Sequence, residues 1–281
     1  MAAKSSLIPT VAIFTVALFL LVTFYRSSIS PYEDIIPASK TSAIDISTGA
    51  AASPAAKQAP IQAPEPEPVR GKHSPRYIFV DLGANGADSL EAFLQNDGAK
   101  FQYDFPKPDW AKHKDAEIFL FEANPVFNGA LVEAKEKYGP KGISINIFPS
   151  TVVDVKDGTR VFYLDNVNTD HDFWGSSTYA NHPDAVKSGA KGTELTAINI
   201  SRWLLMNTLP QDFVVVKMDI EGAEYDIVPH MAEMGVWSVV DHLFIEWHTN
   251  IPEQEAKDAA DAALALLKLK GINCPTYDSA A

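Results

Sequence analysis

One stretch, YIFVDLGANGADSL (Tyr77–Leu90), constrains the fold of this chain more than any other. Tyr77, Ile78, Phe79 and Val80 form an unbroken apolar run rich in aromatic and β-branched residues, the pattern of a strand buried on both faces. The run gives way to Asp81 and a Gly83-Ala84-Asn85-Gly86 turn, then to apolar residues at helical spacing, Leu90, Phe93 and Leu94. Strand, acidic turn and helix in that order predict the opening of a parallel α/β sheet, in which ligands sit beyond the carboxyl ends of the strands. There Gly83 and Gly86 would let a cofactor approach the backbone, while Asp81 meets its polar groups.

The strand signature recurs at Glu117–Glu122, Ile143–Phe148, Thr159–Leu164, Phe213–Met218 and His242–His248. Helices are expected from Leu131 to Tyr138, from Arg202 to Leu209 with Ser201 as its cap, and from Asp258 to Lys270. Strands alternating with helices predict an α/β fold with a mostly parallel sheet and helices on both faces. Two long connections interrupt it. Gln95–Asp115 carries Phe101, Tyr103, Phe105 and Trp110, and reads either as a surface loop with tucked aromatics or as a substrate wall. Asn166–Gly192 carries His171, Asp172, Trp174, Ser176, Ser177, Tyr179 and His182, and reads as a loop over a pocket.

Three strands run into acids, Asp81, Glu122 and Asp219, and a fourth carries Glu246 and His248 at its end. In a parallel sheet these ends share one edge, so residues distant in sequence converge on one crevice. A carboxylate after the second strand can accept both hydroxyls of a ribose, which points to a nucleoside-bearing cofactor. Asp81, Gly83, Asn85, Gly86, Glu122, Asn124 and Asp154 form the candidate cofactor set. The turn lacks the G-x-G-x-x-G spacing that seats a pyrophosphate, and Asp81 and Asp88 would repel one, which disfavours NAD. S-adenosylmethionine carries a sulfonium and an ammonium and no phosphate, so an acidic turn suits it. For proton removal from an acceptor the candidates are Asp219, Glu221, Glu246 and His248. Glu246 and His248, two apart on a strand, would face the same way and with Asp219 could hold a divalent ion, but a plain hydrogen-bond network is the preferred reading and no metal is assigned.

Val80–Ser89 (VDLGANGADS), Phe121–Pro125 (FEANP), Val216–Val228 (VKMDIEGAEYDIV) and Ile245–His248 (IEWH), with weaker support from Asn199–Leu204 (INISRWL), resemble the FkbM-type S-adenosylmethionine-dependent methyltransferases. The resemblance spans about Tyr77 to Gly271. It implies a Rossmann-like class I methyltransferase fold, cofactor contacts from the DLGAN turn and from Glu122, and methylation of an oxygen on a sugar or small metabolite. Two departures stand out. The family turn usually reads GAN-x-G, whereas here Gly86 directly follows Asn85 and Ala87 takes the later position; and little chain follows Gly271 to supply the sixth and seventh strands, so a shortened carboxyl end is expected.

Ahead of the domain, Leu7–Tyr25 is a run of 19 uncharged residues between Lys4 and Arg26, long enough to predict a single membrane-spanning helix with a short cytoplasmic tail. Residues 27–74 are rich in Ala, Pro and Ser without periodicity and read as a disordered stalk, which leaves 75–281 as the folded domain. A net charge of -13 argues against nucleic acid as a partner, and the single cysteine, Cys274, excludes an intrachain disulfide or a thiolate-rich zinc site. The expectation is therefore a membrane-anchored O-methyltransferase of the endoplasmic reticulum or Golgi lumen, using S-adenosylmethionine on a glycan or small polar hydroxyl-bearing acceptor. The contrasting expectation is a catalytically silent, tethered binding module of the same fold.

Overall fold

The computed structural model describes residues 74–278. The anchor expected at 7–25 and the stalk expected up to residue 73 lie outside the described residues, among which no helix is long and apolar enough to cross a membrane.

In chain order the elements are β1 (Tyr77–Leu82), α1 (Asp88–Phe93), β2 (Glu117–Phe121), α2 (Asn128–Tyr138), β3 (Ser144–Phe148), β4 (Thr151–Asp154), β5 (Gly158–Tyr163), α3 (Pro183–Lys187), β6 (Gly192–Asn199), α4 (Ile200–Asn207), β7 (Phe213–Met218), α5 (Glu224–Met234), β8 (His242–Ile245) and α6 (Gln254–Leu269). Five strands form a wholly parallel sheet in the order β3-β2-β1-β7-β8. After β1 the chain winds outward to β3, then returns on the other side of β1 through β7. That reversal opens the crevice of a Rossmann-like sheet between the ends of β1 and β7.

Because side chains alternate across a strand, β1 divides its residues between two cores. Ile78, Val80 and Leu82 pack with Val214, Val216 and Leu243 against Leu204, Ile227, Met231 and Leu267 of α4, α5 and α6. Tyr77 and Phe79 pack with Ile118, Leu120 and Val215 against Leu90, Phe93 and Leu131 of α1 and α2. Both faces are covered, which is why these strands read as continuous apolar runs.

A second sheet, ordered β4-β6-β5, joins β4 and β6 in parallel and β5 and β6 antiparallel. Neither β4 nor β6 was expected, and the strand expected at Thr159–Leu164 belongs here as β5. Three further differences have local causes. The strand expected to reach His248 ends at Ile245, so Glu246 and His248 stand in the loop beyond β8 and share no strand face. The cap of α4 is Asn199, whose side chain accepts the Arg202 N–H at 2.9 Å, while Ser201 is buried one position inside the helix and bonded to His230 Nδ1 at 2.9 Å. Beyond β8, Asn273 and Thr276 make single parallel bridges to His242 and Ile245, so a short sixth stretch partly lines that edge. The Gln95–Asp115 connection tucks Phe105 against Phe79, Phe93 and Phe244, whereas Phe101 and Gln102 face the crevice.

Candidate active site

A cavity of about 560 Å³ occupies the crevice. Its floor is the turn after β1 and the loop after β2; Asp219, Glu221 and Glu246 form one wall, and Phe101, Phe173 and Trp174 lie towards its roof. Lys100 braces the roof by pairing with Asp88 at 2.9 Å and Asp172 at 3.1 Å.

Glu122 ties the floor together. Its Oε2 accepts the Asn85 N–H at 2.7 Å and its Oε1 accepts the Asn124 N–H at 2.6 Å, so one carboxylate fixes two loops. Burial lifts its pKa to about 7, against the lowering effect of those two N–H groups. The Asn124 side chain donates to Ser176 Oγ at 2.9 Å, which carries the same order into the Asn166–Gly192 loop. Gly83 has φ +82°, and a Cβ there would stand 1.8 Å from the Asp219 carbonyl oxygen, so the turns after β1 and β7 touch at a point only glycine allows. Gly86 has no comparable constraint, since a Cβ would meet nothing nearer than Asp88 Oδ2 at 3.9 Å.

Asp81 lies beneath the wall instead of on it. It is fully buried and is the register partner of Lys217 on β7. Lys217 Nζ stands 3.3 Å from Asp81 Oδ1 and 3.4 Å from Asp219 Oδ2, and donates to the Gly83 carbonyl at 2.8 Å. Burial pushes Asp81 up to about 6, opposed by Lys217; burial also disfavours the lysine's charge, but Asp81 and Asp219 outweigh it and raise its pKa. One ammonium therefore connects the glycine turn, the β1 acid and the β7 acid.

The third cluster is built on Glu224, fully buried at the start of α5. Its carboxylate accepts the N–H groups of Ile220 and Gly222, each at 2.8 Å, and pairs with His248 Nδ1 at 3.0 Å. The other ring nitrogen of His248 faces Glu221 Oε2 at 3.4 Å and Asp219 Oδ1 at 3.7 Å. Burial works against an imidazolium here, but Glu224, Glu221 and Asp219 together lift His248 to about 10. Burial also raises Glu221, which adopts φ +53°, is held through its carbonyl by Ser177 Oγ at 2.6 Å and meets His182 Nε2 at 3.1 Å.

Of the residues expected from the sequence, Gly83, Asn85, Glu122, Asn124, Asp219, Glu221 and Glu246 meet at the cavity. Asp81 and His248 stand behind it, and Gly86 lies off its lining. Asp154 is also off the wall, although Val152 and Val153 of the same strand line it; its carboxylate accepts the Val155 N–H at 2.6 Å and faces Arg160 at 3.7 Å. Lys217 and Glu224 are the members that sequence reasoning did not assign. A lysine inside the apolar run FVVVKM was the available signal, because such a charge must find buried acids.

These residues fit a phosphate-free nucleoside cofactor. Each oxygen of Glu122 binds one N–H and keeps a lone pair for a hydroxyl, while Asp219, Glu221 and Glu246 suit a cationic group farther along the cavity. In comparisons with known proteins, the model of the Methyltransferase FkbM domain matches residues 71–271, most of the chain. No curated protein and no solved structure matches.

Proposed function

The chain belongs to the FkbM methyltransferase family, and on that premise we propose that it is an S-adenosylmethionine-dependent O-methyltransferase acting on a glycan or a small polar hydroxyl-bearing acceptor. The observation that carries this reading is the polarity of one cavity, with Glu122 and the Gly83–Asn85 turn at its floor and Asp219, Glu221 and Glu246 on its wall.

In this reading Glu122 accepts the ribose hydroxyls, and the Gly83–Asn85 backbone lies along the cofactor. Bound there, S-adenosylmethionine supplies an electrophilic methyl group on a positively charged sulfur. The chain's own task is then to position an acceptor oxygen in line with that methyl and to take its proton. Glu221 and Glu246 both face the cavity and are the proton acceptors of this scheme. Phe101, Phe173 and Trp174 shield the site from water and offer flat apolar surfaces to an acceptor. Placement of the domain on the lumenal side of the endoplasmic reticulum or Golgi membrane is part of the proposal and rests on the uncharged run Leu7–Tyr25 and the following stalk composition.

Calorimetric titration of the full-length protein with S-adenosylmethionine, and separately with NAD, tests the cofactor. Saturable binding of the first alone, lost in Glu122→Ala, is expected. A folded protein that binds neither is a silent module, and the proposal fails. With acceptors found by screening hydroxyl-bearing glycans and metabolites, Glu246→Gln should lower kcat by about 10²–10⁴-fold, a far larger change than its effect on cofactor affinity.

A further inference from the structure

Asp219, Glu221 and His248 each offer one ligand atom, and these atoms all lie within 4.8 Å of one another. His248 Nε2 stands 3.4 Å from Glu221 Oε2 and 3.7 Å from Asp219 Oδ1, farther than the roughly 2.7–3.2 Å of a good hydrogen bond. Ligands held about 2.0–2.2 Å from one cation lie about 3–4.3 Å apart, a range that includes both distances from His248 Nε2. From this geometry we infer that the three residues form a divalent-cation site at the edge of the cavity.

Three arrangements around the trio point the same way. His248 directs Nδ1 at the buried carboxylate of Glu224, which leaves Nε2 aimed at the two acids, where a cation would replace the proton that Nε2 carries in the imidazolium; a ligating histidine is commonly oriented by such an outer carboxylate. On the other side, His182 Nδ1 accepts the Asp184 N–H at 3.2 Å, so its Nε2 carries the hydrogen and donates to Glu221 Oε2. Glu221 is thereby held as an oriented ligand. Asp219 divides its oxygens in the same manner, Oδ2 towards Lys217 and Oδ1 towards His248.

One imidazole with two carboxylates suits a transition ion of the Mn²⁺ or Zn²⁺ kind better than Ca²⁺ or Mg²⁺. Since Asp219 and Glu221 line the cavity, the open coordination positions face it, where an acceptor hydroxyl would bind and lose its proton more readily. That use rests on the methyl-transfer reading; the binding of the cation does not.

The test is Mn²⁺ binding to the full-length protein, followed by electron paramagnetic resonance and calorimetry, with S-adenosylmethionine titrated into the same preparation as a separate measurement. One Mn²⁺ per chain is expected, displaced by Zn²⁺ and showing nitrogen coupling from a single imidazole. Binding should be lost in Asp219→Asn and in His248→Gln, and weakened about 10–100-fold in Glu224→Gln. If the variants fail to fold, the imidazole coupling in the unaltered protein decides alone. Protein that binds S-adenosylmethionine but takes up neither ion, or binds Mn²⁺ without imidazole coupling, overturns the cation site and leaves the cofactor reading standing. Protein that binds Mn²⁺ with imidazole coupling but not S-adenosylmethionine does the reverse.

Discussion

The two faces of the central sheet end differently. On the face covered by α4, α5 and α6, Ile78, Val80 and Leu82 are matched by Val214, Val216 and Met218, and the strands stay apolar to their ends. On the opposite face Tyr77 and Phe79 are followed at the next position by Asp81, and Phe213 and Val215 by Lys217, its register partner. Removing two charges from water costs several kcal/mol, and their attraction often does no more than offset it, so this exchange adds little to stability. What it provides is position: the ammonium fixes the Gly83 carbonyl and Asp219 relative to each other. Both faces hold the fold together, and the one that ends in this ion pair also holds the site in shape.

The sharpest way to break that division is Lys217→Met, which leaves Asp81 buried with no counter-charge. Denaturant unfolding should show a loss of about 3–5 kcal/mol, most of it restored when Asp81→Leu is added. A double variant as unstable as the single one would mean that the cost lies elsewhere. On the apolar face, Leu243→Ala should cost about 3 kcal/mol through the cavity it leaves, while the cofactor affinity of the folded fraction stays within about twofold. Parallel loss of affinity would show that the faces are not separable.

A smaller effect distinguishes stability from binding at Glu122. Its folded pKa of about 7 stands above its ordinary value, so its contribution to stability is fully present below about pH 4 and is lost as pH rises through 7. Relative to Glu122→Gln, the unaltered protein should lose about 2 kcal/mol between pH 5 and 7 in thermal or denaturant unfolding. Cofactor affinity should move the other way, weakening below about pH 7 as the carboxylate is protonated, and Glu122→Gln should show no such trend. The smallest change is expected at Gly86→Ala, within about 0.5 kcal/mol in stability and with cofactor affinity nearly unchanged, because nothing crowds that position.

The strands of the large sheet were legible because burial on both faces writes continuous apolar runs such as YIFV and FVVVKM. The convergence of Glu122, Asp219 and Glu246 followed from parallel topology alone. What escaped was of two kinds. The strand β6 has one solvated face, and its Glu194, Thr196 alternation with Leu195 and Ala197 is a weak period-2 signal inside a polar segment. Roles that depend on register were also hidden: Lys217 meets Asp81 only because β1 pairs with β7 in one alignment, and Glu224 becomes a support for His248 only after α5 is placed. Asp154 shows the converse, since its strand reaches the cavity but its carboxylate turns back onto its own backbone.

The central place of β1 has a consequence for how the domain is made. It is the earliest strand of the described chain, yet one of its two edges is covered only by β7, more than a hundred residues later. At ordinary synthesis rates of about 5–20 residues per second, that edge waits on the order of ten seconds as an open, strongly apolar ribbon. Such pairing across a long loop folds slowly and invites other strands to add in the interval. The same strand that seats the chemistry is therefore the part of the nascent chain most in need of protection by a chaperone.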